Sequence, residues 1–114
     1  MNMKVGYIEI PVFDMKEAVN FYEKLFGTKK LLESEKLVIF DCNGVEIALV
    51  CDGKKNVVKG IYFVVDDVDQ AYSELKNRSV EFLGEPVNAS WGGRIVCFKD
   101  PDGNEFCIYK MLEK

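Results

Sequence analysis

The chain has no histidine. No imidazole is available to ligate a metal or to take a proton from a nucleophile anywhere in these 114 residues. The four cysteines, Cys42, Cys51, Cys97 and Cys107, lack CxxC spacing and histidine partners. That pattern reads as reduced thiols, mostly semi-buried strand residues, in a cytoplasmic protein. Basic charge is also scarce: 15 Lys and Arg stand against 19 Asp and Glu, a net charge of −4. Without a concentration of cations, nucleic acid is a poor partner, and cationic or neutral small molecules fit better. No apolar run approaches the roughly 18 residues of a membrane span. Residues 1–10, MNMKVGYIEI, have no basic segment leading into an apolar one, so no signal peptide is expected.

What is present is ordinary globular composition, 48% hydrophobic and 30% charged, in a length that suits one domain with its own core. Residues 4–12, KVGYIEIPV, alternate, with Ile8, Ile10 and Val12 on one face and Tyr7, Glu9 and Pro11 on the other. This is a strand with one greasy face. Asp14 with Glu17 reads as a capping box, and Met15, Ala18, Val19, Tyr22, Leu25 and Phe26 form an apolar stripe that stops at Gly27. A helix over 15–26 follows. Residues 29–35 make a short strand or connector and 36–42 a strand, and Asn43-Gly44 is a hairpin turn of the favoured kind. In the next strand Glu46, Ala48 and Val50 oppose Val45, Ile47, Leu49 and Cys51. The polar stretch from Asp52 to Asn56 is the one plausible boundary, giving modules 1–52 and 59–114 joined by a linker over 53–58.

Beyond the linker the pattern restarts. Gly60–Val65 reads as a strand, Asp67 caps a helix over 68–78, and a strand near 80–84 precedes a loop from Pro86 to Gly93. The chain then closes on WGGRIVCFKDPDGNEFCIY, Trp91 to Tyr109, a hairpin whose turn is Asp100-Pro101-Asp102-Gly103-Asn104. Pro presets φ there, Gly takes φ > 0, and Asp and Asn side chains bond nearby backbone. Tyr7–Asp14 superposes on Gly60–Asp67 at a shift of 53 residues, and NGVEIALV matches DGNEFCIY. The expected fold is therefore α+β: two tandem βαβββ modules forming a curved mixed sheet, with both helices on its convex face.

The concave face of that cup is the default ligand site. Period-two alternation lines it with Tyr7, Glu9, Pro11, Glu46, Ala48, Val50, Gly60, Tyr62, Val64, Glu105, Cys107 and Tyr109, an aromatic and acidic set. A solvated sheet face is the plainer account of the same residues. Trp91, the sole tryptophan, lies in a Gly-rich loop where it either closes over a ligand or anchors the loop.

DPDGN and the strand after it, YIEIPVFD followed by FYEKLFG, and Trp91-Gly92 resemble the corresponding segments of the vicinal oxygen chelate superfamily. That group holds glyoxalases, bleomycin-resistance proteins and extradiol dioxygenases. The resemblance covers nearly the whole chain and implies the tandem fold, a cup site and a homodimer. It implies metal ligands on the first, fourth, fifth and eighth strands, where this chain has Tyr7, Ala48, Gly60 and Cys107. None is a histidine or carboxylate, and Cys107 would be a lone soft ligand. A cluster of Glu9, Glu46 and Glu105, each roughly 7 Å along its strand from those positions, is the alternative divalent-metal site.

The preferred expectation is a protein of the bleomycin-resistance type. It holds a small organic, cationic aromatic molecule without a metal or other cofactor, using Tyr7, Glu9, Glu46, Tyr62, Trp91, Glu105, Cys107 and Tyr109. The alternatives are a glyoxalase-like or dioxygenase enzyme on the carboxylate site, and a dimeric scaffold with a vestigial cup. Cys107 as a nucleophile has no histidine to activate it, and the residue reads rather as a small, semi-buried strand residue.

Overall fold

Asp14 and Asp67 each end an extended segment and start a helix. The computed structural model of the chain describes residues 2, 5, 7–53, 58 and 60–113. In it Asp14 (φ −116°) accepts the Glu17 N–H at 3.1 Å, ahead of α1 (Met15–Phe26). Asp67 (φ −147°) accepts the Gln70 N–H at 3.0 Å, ahead of α2 (Val68–Asn77). Each carboxylate satisfies an N–H that the first helical turn leaves over, worth about 1 kcal/mol. Gly27 ends α1 at φ 61°, its N–H on the Glu23 carbonyl at 3.0 Å, a left-handed cap that favours glycine.

The chain divides into two compact units, Met1–Val57 and Val58–Lys114. The first contains α1 and strands β1 (Tyr7–Pro11), β2 (Lys30–Glu33), β3 (Leu37–Cys42) and β4 (Val45–Val50), in sheet order β1-β4-β3-β2. The second contains α2 and strands β5 (Ile61–Val64), β6 (Val87–Asn88), β7 (Gly93–Lys99) and β8 (Glu105–Met111), in order β5-β8-β7-β6. In each, the first and last strands pair in parallel and the others antiparallel. The α+β class and the βαβββ repeat are thus observed. Even the register repeats: Glu9 faces Ala48 in one unit as Tyr62 faces Cys107 in the other. Asn43 (φ 51°) and Gly44 (φ 95°) form the expected tight turn between β3 and β4.

Two expectations differ from the structure. Residues 80–84 are not a strand; Phe82 makes one isolated bridge to Phe98, and the pairing strand is β6, inside the segment read as a loop. Phe82 serves as a packing pin instead, its ring 4.7 Å from Tyr72 and 5.5 Å from Phe98. The second is cysteine chemistry: Cys97 and Cys107 form a disulfide, while Cys42 and Cys51 remain thiols. In the linker expected over 53–58, residues 54–57 lie outside the described residues, as do Lys4 and Gly6 of the expected first strand.

Each unit buries one sheet face under its helix. Ile10, Val38, Phe40, Ile47 and Leu49 pack with Ala18 and Tyr22 of α1, and Val96, Phe98, Phe106 and Ile108 pack with Val68 and Leu75 of α2. Tyr22 stacks on Phe26 at 5.6 Å, and Phe106 on Phe98 at 5.6 Å and on Phe63 at 5.8 Å. Burying a ring of this size contributes roughly 1.5–3 kcal/mol.

The hairpin turn carries polar groups inside. Asn104 is 0% exposed and Asp100 5%. Asp100 Oδ1 accepts the N–H of Asp102 (2.9 Å) and of Asn104 (2.8 Å), and its Oδ2 accepts from Asn104 Nδ2 at 2.8 Å. Asn104 Oδ1 in turn accepts the Val58 N–H at 2.7 Å, and the Glu105 N–H donates to the Val58 carbonyl at 2.8 Å. The turn therefore grips the approach to β5 and sets β5 against β8. Asn104→Ala would strip this grip of its partners, at a cost of about 2–3 kcal/mol. The expected result is a lowered urea midpoint with an unchanged slope.

Candidate functional site

The face of each sheet turned away from its helix gathers the candidate residues. In the second unit β8 presents Glu105, Cys107 and Tyr109, flanked by Tyr62 and Val64 of β5 and by Lys99, Cys97 and Ile95 of β7. Registration sets these in rows: Tyr62, Cys107, Cys97; then Val64, Tyr109, Ile95. Tyr62 is 51% exposed, and its ring meets Tyr109 edge to face at 6.0 Å. Tyr109 meets Trp91, also 51% exposed, at 6.2 Å. Three rings thus run in sequence across a face that is open to solvent. Edge-to-face pairs of this kind add about 0.5–1.5 kcal/mol beyond the area they bury.

Gly93 makes the placement of Trp91 possible. It opens β7 directly beneath the indole, so a Cβ added there would collide with the six-membered ring of Trp91. The Gly-Gly of the loop therefore serves packing as well as turning. Hydrogen bonds from Ala89 N to Gly93 O (2.7 Å), Gly92 N to Ala89 O (3.0 Å) and Leu112 N to Gly92 O (2.9 Å) hold the loop against β8.

In the first unit Tyr7, Glu9 and Pro11 of β1 lie beside Glu46, Ala48 and Val50 of β4, with Asp41 and Ile39 beyond on β3. Glu46 stands between Tyr7 and Asp41 in register, two carboxylates side by side on one face. Like charges so placed disfavour each other and favour a cation. The Tyr7 hydroxyl donates to Glu9 Oε2 at 3.0 Å. That hydrogen bond holds the phenol above its ordinary pKa, with desolvation and the charges of Glu9 and Glu46 adding to it.

The eight candidates therefore fall into two sets: Tyr7, Glu9 and Glu46 on one unit, and Tyr62, Trp91, Glu105, Cys107 and Tyr109 on the other. Cys97, Ile95 and Gly93 of the second face were missed from sequence. Hairpin register carried the signal, since Lys99 opposite Glu105 puts Cys97 opposite Cys107.

The family-equivalent metal positions do not fit a divalent ion. Tyr7 is a hydrogen-bonded phenol, Ala48 is 0% exposed and has no donor, Gly60 has no side chain, and Cys107 is bonded to Cys97. Among the described residues no three His, Cys, Asp or Glu are grouped so as to hold a metal ion. No described helix is long and apolar enough to cross a membrane.

The family model described as Glyoxalase/Bleomycin resistance protein/Dioxygenase superfamily matches residues 4–108. The Bacillus subtilis (strain 168) uncharacterized protein YraH is 31% identical, over 96% of this chain and 100% of that protein. Metallothiol transferase FosB of Lysinibacillus sphaericus is 28% identical, over 90% of this chain and 78% of its own. The crystal structure of TnmS3, an antibiotic binding protein from Streptomyces sp. CB03234, superposes with a TM-score of 0.78 at 25% identity, covering 96% of this chain and 97% of that one.

Gly93→Ala is expected to push the indole of Trp91 off Tyr109 while leaving the ladder of β7 and β8 intact. As Trp91 is the only tryptophan, the displacement would be read as red-shifted emission and reduced near-UV ellipticity with unchanged far-UV signal.

Proposed function

Because the chain belongs to the glyoxalase/bleomycin resistance protein/dioxygenase superfamily, we propose that it is a small-molecule-binding member that sequesters a planar, cationic organic compound without a divalent metal. The observation that carries this reading is the run of Trp91, Tyr109 and Tyr62 across a solvent-open sheet face. Such rings present flat, polarizable surfaces to a planar ligand, and a cation over their faces gains roughly 0.5–2 kcal/mol. Glu105 on this face supplies negative potential for a cationic tail, and Glu9 and Glu46 make the first unit's own open face acidic as well. The likeness to an antibiotic binding protein supports the same class of ligand and a role in antibiotic resistance. The donor-poor positions Tyr7, Ala48, Gly60 and Cys107 support a metal-independent mode.

A second reading is favoured by the FosB relative, whose name is metallothiol transferase. It requires a bound metal and a thiol substrate, so metal dependence separates it from sequestration. Homodimerisation and a cytoplasmic location complete the proposal. Sedimentation at twice 13.0 kDa tests the first of these.

The test of function follows Trp91 emission while bleomycin and other cationic aromatic compounds are titrated, with and without EDTA. Sequestration predicts saturable micromolar binding that EDTA leaves unchanged. Tyr62→Ala should weaken it about tenfold, the equivalent of ~1.4 kcal/mol, and Glu105→Gln should weaken cationic compounds more than neutral ones. Binding that appears only with added Mn²⁺, Ni²⁺ or Zn²⁺ would replace this reading with the transferase one.

A further inference from the structure

The Cys97–Cys107 bond is poorly placed for a structural staple. Disulfides restrain the unfolded chain, and the effect grows with the length of loop they close. This one closes a short loop, with a sequence separation of 10. Its strands are already joined by the Asp100–Asn104 turn and by a ladder running from Lys99–Glu105 to Gly93–Met111. The Cys97 carbonyl accepts from Leu83 N–H on the far side of β7, so Cys97 and Cys107 form a non-hydrogen-bonded pair, with Cα atoms 4.0 Å apart. Val96, Phe98, Phe106 and Ile108 turn into the core, whereas both cysteines sit half-buried on the open face, in the row that begins at Tyr62. Neither cysteine is fully buried, and the pair lies on the face from which a thiol would approach; access is a primary requirement for thiol–disulfide exchange.

We propose that Cys97 and Cys107 are a redox-active dithiol/disulfide couple whose co-substrate is a low-molecular-weight thiol received on this face. An incoming thiolate RS⁻ forms a bond to one sulfur of the pair as the Cys97–Cys107 bond breaks. The electron pair leaves on the other cysteine, which takes a proton from water. A second thiol then displaces the mixed disulfide and releases RSSR. Two RSH lose two electrons and two protons, and the pair gains them as two thiols; RSSR drives the reverse. The nucleophile arrives with the co-substrate, so the chemistry needs no imidazole base, consistent with a chain that has none. Tyr62, the register partner of Cys107, offers a wall for the R group. Cys42 and Cys51 are spectators: burial raises the pKa of the Cys42 thiol, and Cys51 Sγ donates to the Phe13 carbonyl at 3.2 Å. The couple does not rest on the sequestration reading, because its readout is sulfur oxidation state with no organic ligand present.

The test equilibrates the full chain in glutathione buffers of rising GSH to GSSG ratio, then quenches with acid, alkylates, and reads intact mass and peptide maps. The expected result is conversion of Cys97 and Cys107 to two alkylated thiols in one two-electron step, with far-UV circular dichroism unchanged. In parallel, folded Cys97→Ser and Cys107→Ser should each take one glutathione from GSSG on the remaining member of the pair. A bond that survives excess GSH in the folded chain and opens only in denaturant would overturn the proposal. The wild-type titration decides the matter even where a variant fails to fold.

Discussion

Asn104 ties the closing turn to the start of the second unit through its side-chain amide and its own backbone N–H, and the second unit depends on it. Its Oδ1 takes the Val58 N–H, its Nδ2 gives to Asp100, and its own N–H is held by the same carboxylate. Burying these polar groups is tolerable only because each is satisfied, and a half-satisfied set would cost more than an apolar turn. The consequence reaches the site. Once Val58 is fixed, β5 has one register on β8, and that register sets Tyr62 beside Cys107 and Val64 beside Tyr109. A slip of one residue would turn Tyr62 and Val64 inward and bring Phe63 out.

The local parts of this fold were legible because their signals are local. Asp14, Asp67, Gly27 and Asn43-Gly44 act through backbone groups a few residues away, so a sequence window contains both partners. Period-two alternation likewise placed Tyr7, Glu9, Glu46, Tyr62, Glu105, Cys107 and Tyr109 on the faces away from the helices. What could not be read depends on packing between distant segments. Val80 and Phe82 look like strand residues, yet Phe82 is more useful wedged between Tyr72 and Phe98 than in a ladder. Val87 and Asn88, in an apparent loop, do the pairing with β7 because the chain must reach Arg94 and Ile95.

The cysteines are an intermediate case. Their spacing matches no disulfide or metal motif, and on that basis all four read as thiols. Yet the turn at Asp100–Asn104 already fixed Lys99 opposite Glu105, and counting two residues outward along each strand meets Cys97 and Cys107. The information was present but lay in register rather than in spacing. Trp91 teaches a related lesson. Gly93 reads from sequence as the last residue of a Gly-rich loop, whereas in the structure it opens β7 and leaves room for a ring.

Parallel pairing of the first and last strand in each unit also constrains how the chain acquires its structure. Tyr62 must find Cys107, and Glu9 must find Ala48, across most of a unit, whereas the β7–β8 and β3–β4 hairpins close over a few residues. Loop-closure entropy makes such distant pairings slow relative to local ones. On the ribosome β5 emerges well before its partner exists, and it carries Tyr62 and Val64 as an apolar edge in the meantime. Synthesis of the second unit thus includes an interval in which the aromatic strand is bare, and it ends only when β8 has been added.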